Sequence, residues 1–191
     1  MSEQKVPYIC GPLTELDPEH RDWVKEFYVQ LGDACLESIG VRGFVPHLVY
    51  DPIKNADAKD TEVYAAEHEI VTRKTSILIV YAIEPSWGAG IEVGWANEHK
   101  VPIVVLVPQK KVSRLLTGGP MVKGVLNVRD FDNAIQLLRL WLAKFDAEMK
   151  RLADRQRRMH ELDLQHEPRS PYDADAYTPG TFGIPGRIPS R

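Results

Sequence analysis

At 191 residues with 43% hydrophobic side chains, the chain is long enough for one α/β domain with its own core. A formal charge of −3 gives no basis for binding nucleic-acid polymers or anionic membranes, so a small-molecule ligand is the better expectation. No apolar run is long enough for a membrane span or a secretion signal, which predicts a cytoplasmic protein. The two cysteines and six histidines show no metal-ligand spacing, so we expect no metal and no other cofactor.

The first strand is predicted at residues 6–10, an apolar run that stops at Gly11. A helix is predicted from an N-cap at Asp17 to a closing glycine at Gly40, because its apolar residues recur at helical spacing. Residues 43–47 indicate a second strand, whose proline favours a strand end or a sheet edge.

A polar stretch over residues 51–60 could cover a ligand site as a loop, and residues 61–74 predict a helix. A last long helix is predicted after Asp130. Three further apolar runs have the composition of strands, and they lie at residues 76–80, 101–107 and 125–128.

Five strands that alternate with helices indicate an α/β fold, with a flavodoxin-like or Rossmann-like parallel sheet and helices on both faces. The expected strand order is 2-1-3-4-5, which brings together loops 11–14 and 84–90 at the edge where open α/β sheets bind ligands. We expect residues 1–160 to form this domain. Residues 161–191, rich in proline and glycine, are predicted to be a tail that is disordered or lies over a partner subunit.

The motif Pro-Ser-Trp-Gly-Ala-Gly-Ile-Glu follows the third predicted strand. Ser86 suits a helix N-cap or an anion contact, and Gly88 and Gly90 would let a ligand approach the backbone closely. With a helix that begins at Ala89, Glu92 falls in the first turn, where the dipole favours an ionised carboxylate. Such a carboxylate could act as a nucleophile, or it could simply complement the dipole.

This motif, extended to Pro-Ser-x-Gly-x-Gly-x-Glu-x-Gly-x-Ala, resembles the signature of the nucleoside 2-deoxyribosyltransferase superfamily. It is most similar to the branch of 2'-deoxynucleoside 5'-phosphate N-hydrolases. The resemblance implies that Glu92 attacks the anomeric carbon of the sugar and that Ser86 contacts the 5'-phosphate.

The resemblance implies further binding residues. His47 is expected near the base or the phosphate. The segment Arg114–Thr117 resembles one that reaches into a neighbouring subunit's site, which implies a homodimer in which Thr117 contacts the phosphate. The N-hydrolases usually carry an arginine shortly after the first glycine, where this chain has Thr14 and Glu15. The first loop should contribute Tyr8, Gly11, Pro12, Leu13 and Thr14.

A second acid is expected on the helix before the third strand, where the resemblance points to the position of His68. Glutamates stand on both sides of it. Glu69 is the preferred partner acid and Glu67 the second choice, because a one-residue shift fits a short turn between helix and strand. The alternative is a solvated polar helix face.

These features predict an enzyme that cleaves or transfers the N-glycosidic bond of a nucleoside or its 5'-monophosphate. Ionised Glu92 would attack the sugar while Glu69 or Glu67 protonates or orients the departing base. The alternative is a nucleotide-binding sensor with the same fold and no turnover, since fold does not fix function. A structural subunit that acts only in assembly has least in its favour.

Overall fold

The computed structural model describes residues 4–51, 54–55, 57–108 and 112–165. Within these ranges, four strands form one parallel sheet in sequence order. Each strand pairs with the next along the chain, so its carboxyl end lies at the same edge of the sheet as the others. The strands are β1 (Val6–Cys10), β2 (Thr75–Tyr81), β3 (Ile103–Pro108) and β4 (Val122–Val128).

The prediction of five strands in the order 2-1-3-4-5 is therefore wrong. Of the expected second strand, only Phe44 forms a bridge, a single parallel one with Tyr8 of β1. The Phe44 backbone N–H donates to Pro7 O at 2.7 Å, and Phe44 O accepts from Ile9 N at 2.9 Å. Pro46 then begins a 3₁₀-helix, Pro46–Leu48. Proline has no N–H to continue a ladder, so the pairing stops after one residue.

Helices connect the strands and cover both faces of the sheet. The first helix begins where Asp17 accepts a 3.1 Å hydrogen bond from His20 N, and it ends at Gly40, which has a φ of 75°. The helices are α1 (Pro18–Ile39), α2 (Asp60–Glu69), the π-helix Ile70–Lys74, α3 (Trp87–Glu98), α4 (Arg114–Thr117) and α5 (Phe131–Gln165).

Strands β1, β2 and β3 are buried on both faces, as their continuous apolar runs predict, whereas the edge strand β4 alternates between half-buried and exposed residues. On one face, Ile79 of β2 packs in a cluster with Phe27 of α1 and Leu138 of α5. On the other face, Leu78 packs in a cluster with Val93 of α3. Successive side chains of one strand therefore fix helices on opposite sides, and α3 is held against the carboxyl end of the sheet.

The chain divides into two compact units, Met1–Met149 and Lys150–Arg191. Of the second unit, the structure describes residues 150–165, which form the last part of α5, and residues 150–162 are exposed. The predicted tail at 161–191 otherwise lies outside the described residues. In the part of the chain that the structure describes, no helix is long and apolar enough to cross a membrane.

Candidate active site

A cavity of about 460 Å³ lies at the carboxyl end of β1 and beside the N-terminal half of α3. Sites for small molecules commonly measure about 300–1,000 Å³, so a nucleoside-sized ligand fits this volume. Its walls come from residues 9–15, the 3₁₀-helix, α2 and α3. The predicted ligand-binding edge of the sheet therefore does contain a cavity.

Glu92 lies in this cavity, two residues further into the helix than predicted. The helix α3 begins at Trp87 rather than Ala89, which places Glu92 in its second turn. The residue is only 8% exposed, although its carboxyl lines the cavity. Its Oε1 accepts a 2.5 Å hydrogen bond from the hydroxyl of Tyr8, which is fully buried in β1. The carboxyl group is thus fixed between the sheet and the helix.

Burial raises the pKa of Glu92 to about 7. Hydrogen bonding with Cys10 and Tyr8 opposes this effect because it favours the ionised form, and the charge of Glu67 raises the pKa further. Burial therefore outweighs the effects that were expected to favour the ionised carboxylate of Glu92.

Glu67 is the second acid of the cavity. It lies on α2, is half-buried, and faces the same space as Glu92. Burial raises its pKa above the usual value of 4.5. The helix α2 continues into the π-helix Ile70–Lys74 before β2 begins. A π-helical turn takes up extra residues, which accounts for an inward-facing acid one position before His68.

Glu69, the preferred partner acid in the sequence, lies outside the cavity lining. Its carboxylate forms a 2.9 Å ion pair with Lys74 Nζ on the exposed surface. The hydrogen bond and the charge of Lys74 lower the pKa of Glu69. Glu67, the second choice, therefore has the position that Glu69 was expected to have.

The loop after β1 has a tightly constrained start. A Cβ atom on Gly11 would lie 2.1 Å from the Tyr28 hydroxyl oxygen and 2.9 Å from Tyr81 O, so only glycine fits there. The Tyr28 hydroxyl in turn donates a 3.1 Å hydrogen bond to Pro12 O. Of the residues predicted to bind substrate in this loop, Gly11 and Leu13 line the cavity, whereas Pro12 lines a second cavity.

Arg21 of α1 holds the rest of this loop, a role that the sequence did not reveal. Its Nε donates to Leu13 O at 2.9 Å and its Nη2 to Leu16 O at 2.7 Å. Thr14 lies between these two anchors and lines the cavity. Arg21 thus stabilises the cavity wall through backbone carbonyls. The sequence feature that could have indicated this role is an arginine one turn into the helix that follows the glycine-containing loop.

Ser86 is the N-cap of α3, as expected, and its Oγ accepts a 3.4 Å hydrogen bond from Ala89 N. It lines both cavities, while Gly88 lines the first and Gly90 the second. A Cβ on Gly90 would meet nothing within 4 Å, and one on Gly88 would meet only Ser86 Oγ at 3.9 Å. Packing against the described residues therefore does not require these two glycines, and they leave the first turn of α3 open to a ligand.

His47 lines the cavity from the 3₁₀-helix and is 8% exposed. Among the described residues, its Nδ1 has no hydrogen-bond partner. Burial, followed by the nearby charge of Lys25, lowers its pKa, so the neutral imidazole is favoured. Lys25 forms a 2.5 Å ion pair with Asp51, which lines the same cavity. Sequence reasoning missed this pair, since the two residues lie on different elements.

Aromatic side chains form the wall beside Glu67 and were also missed. Tyr64 lies one turn before Glu67 on α2, is 55% exposed and lines the cavity. Its ring meets Trp95 of α3 edge-on, with centroids 5.0 Å apart, and is parallel to the His68 ring at 6.2 Å. The sequence feature that could have indicated this wall is a tyrosine, Tyr64, one helical turn before the candidate acid Glu67.

The second cavity, of about 380 Å³, lies on the other side of Ser86 and is lined in part by Leu115 and Leu116 of α4. Leu115 is 90% exposed, and Trp87 at the start of α3 is 87% exposed. Thr117 ends α4 and lines neither cavity. Its expected role in a neighbouring subunit's site stays a prediction.

No group of three or more His, Cys, Asp or Glu side chains within residues 4–51, 54–55, 57–108 and 112–165 is placed to hold a metal ion. The site is therefore described by its acids, its aromatic wall and its neutral hydrogen-bonding groups.

No protein-family model matches the chain, and no curated protein matches it in sequence. Solved structures are similar to it. The solution structure of BlsM has a TM-score of 0.58 at 17% identity, with 75% of this chain and 93% of BlsM covered. The CMP N-glycosidase BcmB of Clostridium botulinum has a TM-score of 0.51 at 15% identity, with 72% of this chain and 99% of BcmB covered.

A conserved protein from Enterococcus faecalis V583 is similar to the same extent, with a TM-score of 0.51 at 16% identity over 72% of this chain and 99% of that protein. Identities this low show a shared fold and leave function open. The chain therefore has an α/β fold in common with BlsM and BcmB.

Proposed function

We propose that this protein cleaves or transfers the N-glycosidic bond of a nucleoside or its 5'-monophosphate. The observation that carries the proposal is the pair of acids Glu92 and Glu67, which face one nucleoside-sized cavity at the carboxyl end of the sheet. The fold shared with a CMP N-glycosidase supports the same reaction class.

In the first step, the ionised carboxylate of Glu92 attacks the anomeric carbon and forms a glycosyl ester. The bond between that carbon and the base nitrogen breaks, and its electron pair stays on the base. Glu67, in its acid form, donates a proton to the departing base. The two carboxyl groups thus have different protonation states in the same cavity, which is the usual requirement for a retaining glycosidase.

In the second step, the Glu67 carboxylate takes a proton from water, and the water oxygen attacks the anomeric carbon. The ester bond breaks and its electron pair returns to Glu92. If a second base occupies the cavity instead of water, the same step transfers the sugar to that base. Both outcomes restore Glu92 as a carboxylate and Glu67 as an acid.

The hydrogen bonds at Glu92 support this division of roles, although burial raises the pKa of Glu92 to about 7. Burial raises the pKa of both acids, but hydrogen bonding with Cys10 and Tyr8 counteracts it at Glu92. These contacts favour the charged form that a nucleophile needs. Burial at Glu67 favours the protonated form that an acid catalyst needs.

The aromatic wall supports a base site next to Glu67. The rings of Tyr64 and Trp95 line the cavity beside this acid, and planar bases stack well on such surfaces. A base held there would be within reach of the α2 carboxyl group, while the sugar would lie towards Glu92.

The test is release of free base from a panel of nucleosides, deoxynucleosides and their 5'-monophosphates, followed by chromatography. We expect the wild-type protein to release base from at least one of them without an added cofactor. Calorimetry on the same panel provides the comparison. Tight binding of a nucleotide with no base release from any compound would instead favour the nucleotide-binding sensor.

A further inference from the structure

The cavity has a strongly acidic lining. Its titratable side chains include five acids, and no lysine or arginine lines it in the part of the chain that the structure describes. Asp51 is paired with Lys25, and burial favours the protonated forms of Glu67 and Glu92. A ligand with a negatively charged group would therefore meet like charges mainly at the exposed carboxylates of Glu15 and Asp60. The five acidic residues are Glu15, Asp51, Asp60, Glu67 and Glu92.

Two cations of α1 lie close to these walls, but both are engaged. Lys25 Nζ pairs with Asp51 at 2.5 Å, and both side chains are largely buried. Arg21 donates to the carbonyl oxygens of Leu13 and Leu16. Recruiting either cation to a phosphate would break an ion pair or release the cavity wall.

The N-terminus of α3 opposes this repulsion of a negatively charged ligand, because the helix dipole and the Ser86 hydroxyl favour an anion. A helix terminus of this kind improves anion binding by a factor of about two to five. Juxtaposed like charges cost a factor of about ten or more, so the acidic lining outweighs the helix terminus.

His47 provides independent support for a neutral ligand. The residue is more than nine-tenths buried, it lines the cavity, and its Nδ1 has no partner among the described residues. A buried polar atom without a partner costs stability unless a ligand satisfies it. The neutral ring that burial favours can exchange a hydrogen bond with a hydroxyl or amide group, but it offers a phosphate no charge.

We infer that the cavity selects an uncharged nucleoside over its 5'-monophosphate and that His47 Nδ1 binds one of the nucleoside's neutral polar groups. This inference rests on the proposed function for its reaction. The preference itself is a property of binding, so it can be measured whether or not the bond is cleaved.

The test compares each nucleoside with its own 5'-monophosphate, both in kcat/KM for base release and in Kd by calorimetry. We expect both quantities to favour the nucleoside by at least about tenfold. The preference should shrink as salt is added, because salt screens the repulsion. A monophosphate that is bound equally or better at low salt would overturn the inference.

A charge-neutralised variant makes the test specific. Glu15→Gln combined with Asp60→Asn removes two cavity charges, and we expect the ratio of nucleoside to monophosphate affinity to fall by about threefold or more. Glu19→Gln combined with Asp22→Asn makes the same charge change on exposed α1 positions outside the cavity, and the ratio should stay as in the wild type. Equal ratios in the two variants would contradict a role for the cavity charges.

The two proposals fail in different ways. Absence of base release from every compound would refute the proposed reaction, while a nucleoside preference in the binding data would still support the inference. Conversely, base release from monophosphates alone would support the reaction and refute the inference.

Discussion

The Tyr8 hydroxyl donates a 2.5 Å hydrogen bond to Oε1 of Glu92 and so joins β1 to the second turn of α3. Both residues are buried, yet the carboxyl group still reaches the cavity. Because Oε1 is held by the tyrosine, the orientation of the carboxylate is set before a ligand binds. This contact also opposes the increase in pKa that burial causes.

Tyr8→Phe should raise the pKa of Glu92 above its value of about 7, because the variant loses a hydrogen bond that favours the ionised form. The ring would keep its contact with Phe44, whose centroid lies 5.5 Å away. We expect the acidic limb of the kcat/KM profile to move to higher pH. Tyr28→Phe is the matched control, since its hydroxyl donates to Pro12 O, and an equal displacement there would argue against the assignment.

Glu92→Gln should stabilise the fold at high pH. A folded-state pKa of about 7, raised from 4.5, means that the folded protein binds a proton more tightly than the unfolded chain. Stability is therefore lost as the pH rises from 4.5 to 7, by roughly 3 kcal/mol in all. The glutamine of the variant does not titrate, so the variant keeps its free energy of unfolding over this pH range. In urea unfolding, its free energy of unfolding should exceed that of the wild type by a large amount at pH 8 and by a small amount at pH 4.5.

Glu98→Gln makes the same substitution on the exposed C-terminal turn of α3, outside the cavity, and serves as the control for this stability effect. The quantity to compare is the unfolding free energy of Glu92→Gln minus that of the wild type, at pH 4.5 and at pH 8. If this difference were the same at both pH values, the Glu92 carboxyl group would not be titrating in a buried site.

Glu67→Gln should lower kcat by about 100- to 10,000-fold, the usual contribution of a general acid. Glu69→Gln is the control two residues further along the chain, where the carboxylate pairs with Lys74 on the surface. We expect it to keep nearly full activity in the same base-release assay. The reverse result would restore Glu69 as the partner acid.

We expect a homodimer in which α4 contacts the partner. Leu115 is 90% exposed on α4, and Trp87 is 87% exposed at the start of α3. Such large apolar side chains are typical of protein interfaces. Leu115→Asp should shift the mass in light scattering towards monomer, whereas Leu140→Asp, at a 61% exposed site on α5, should not. A wild-type protein that is monomeric at micromolar concentration would remove the basis for this prediction.

The strands with continuous apolar runs could be predicted from sequence, because burial on both faces leaves a strong local pattern. Residues 76–80 and 103–107 lie within β2 and β3. The expected strand at 43–47 failed because its bridge depends on a partner in β1, and Pro46 ends it. Local pattern does not report whether a short run finds a partner.

The candidate site was predicted in outline, but the burial of its acids was not. Ser86 and Glu92 follow from the motif, yet the earlier start of α3 moves Glu92 from the first turn to the buried second turn. The choice between Glu67 and Glu69 depends on the π-helix before β2, which a residue count cannot anticipate. The lone Nδ1 of His47 arises from tertiary packing.

The most direct test of the central claim is base release by Glu92→Gln compared with the wild type, on whichever nucleoside or nucleotide the wild type cleaves. Glu98→Gln makes the same substitution on the same helix, away from the cavity. We predict base release at the level of buffer alone for Glu92→Gln, with ligand binding retained, and wild-type rates for Glu98→Gln. Wild-type rates in the Glu92→Gln variant would show that Glu92 is not the nucleophile.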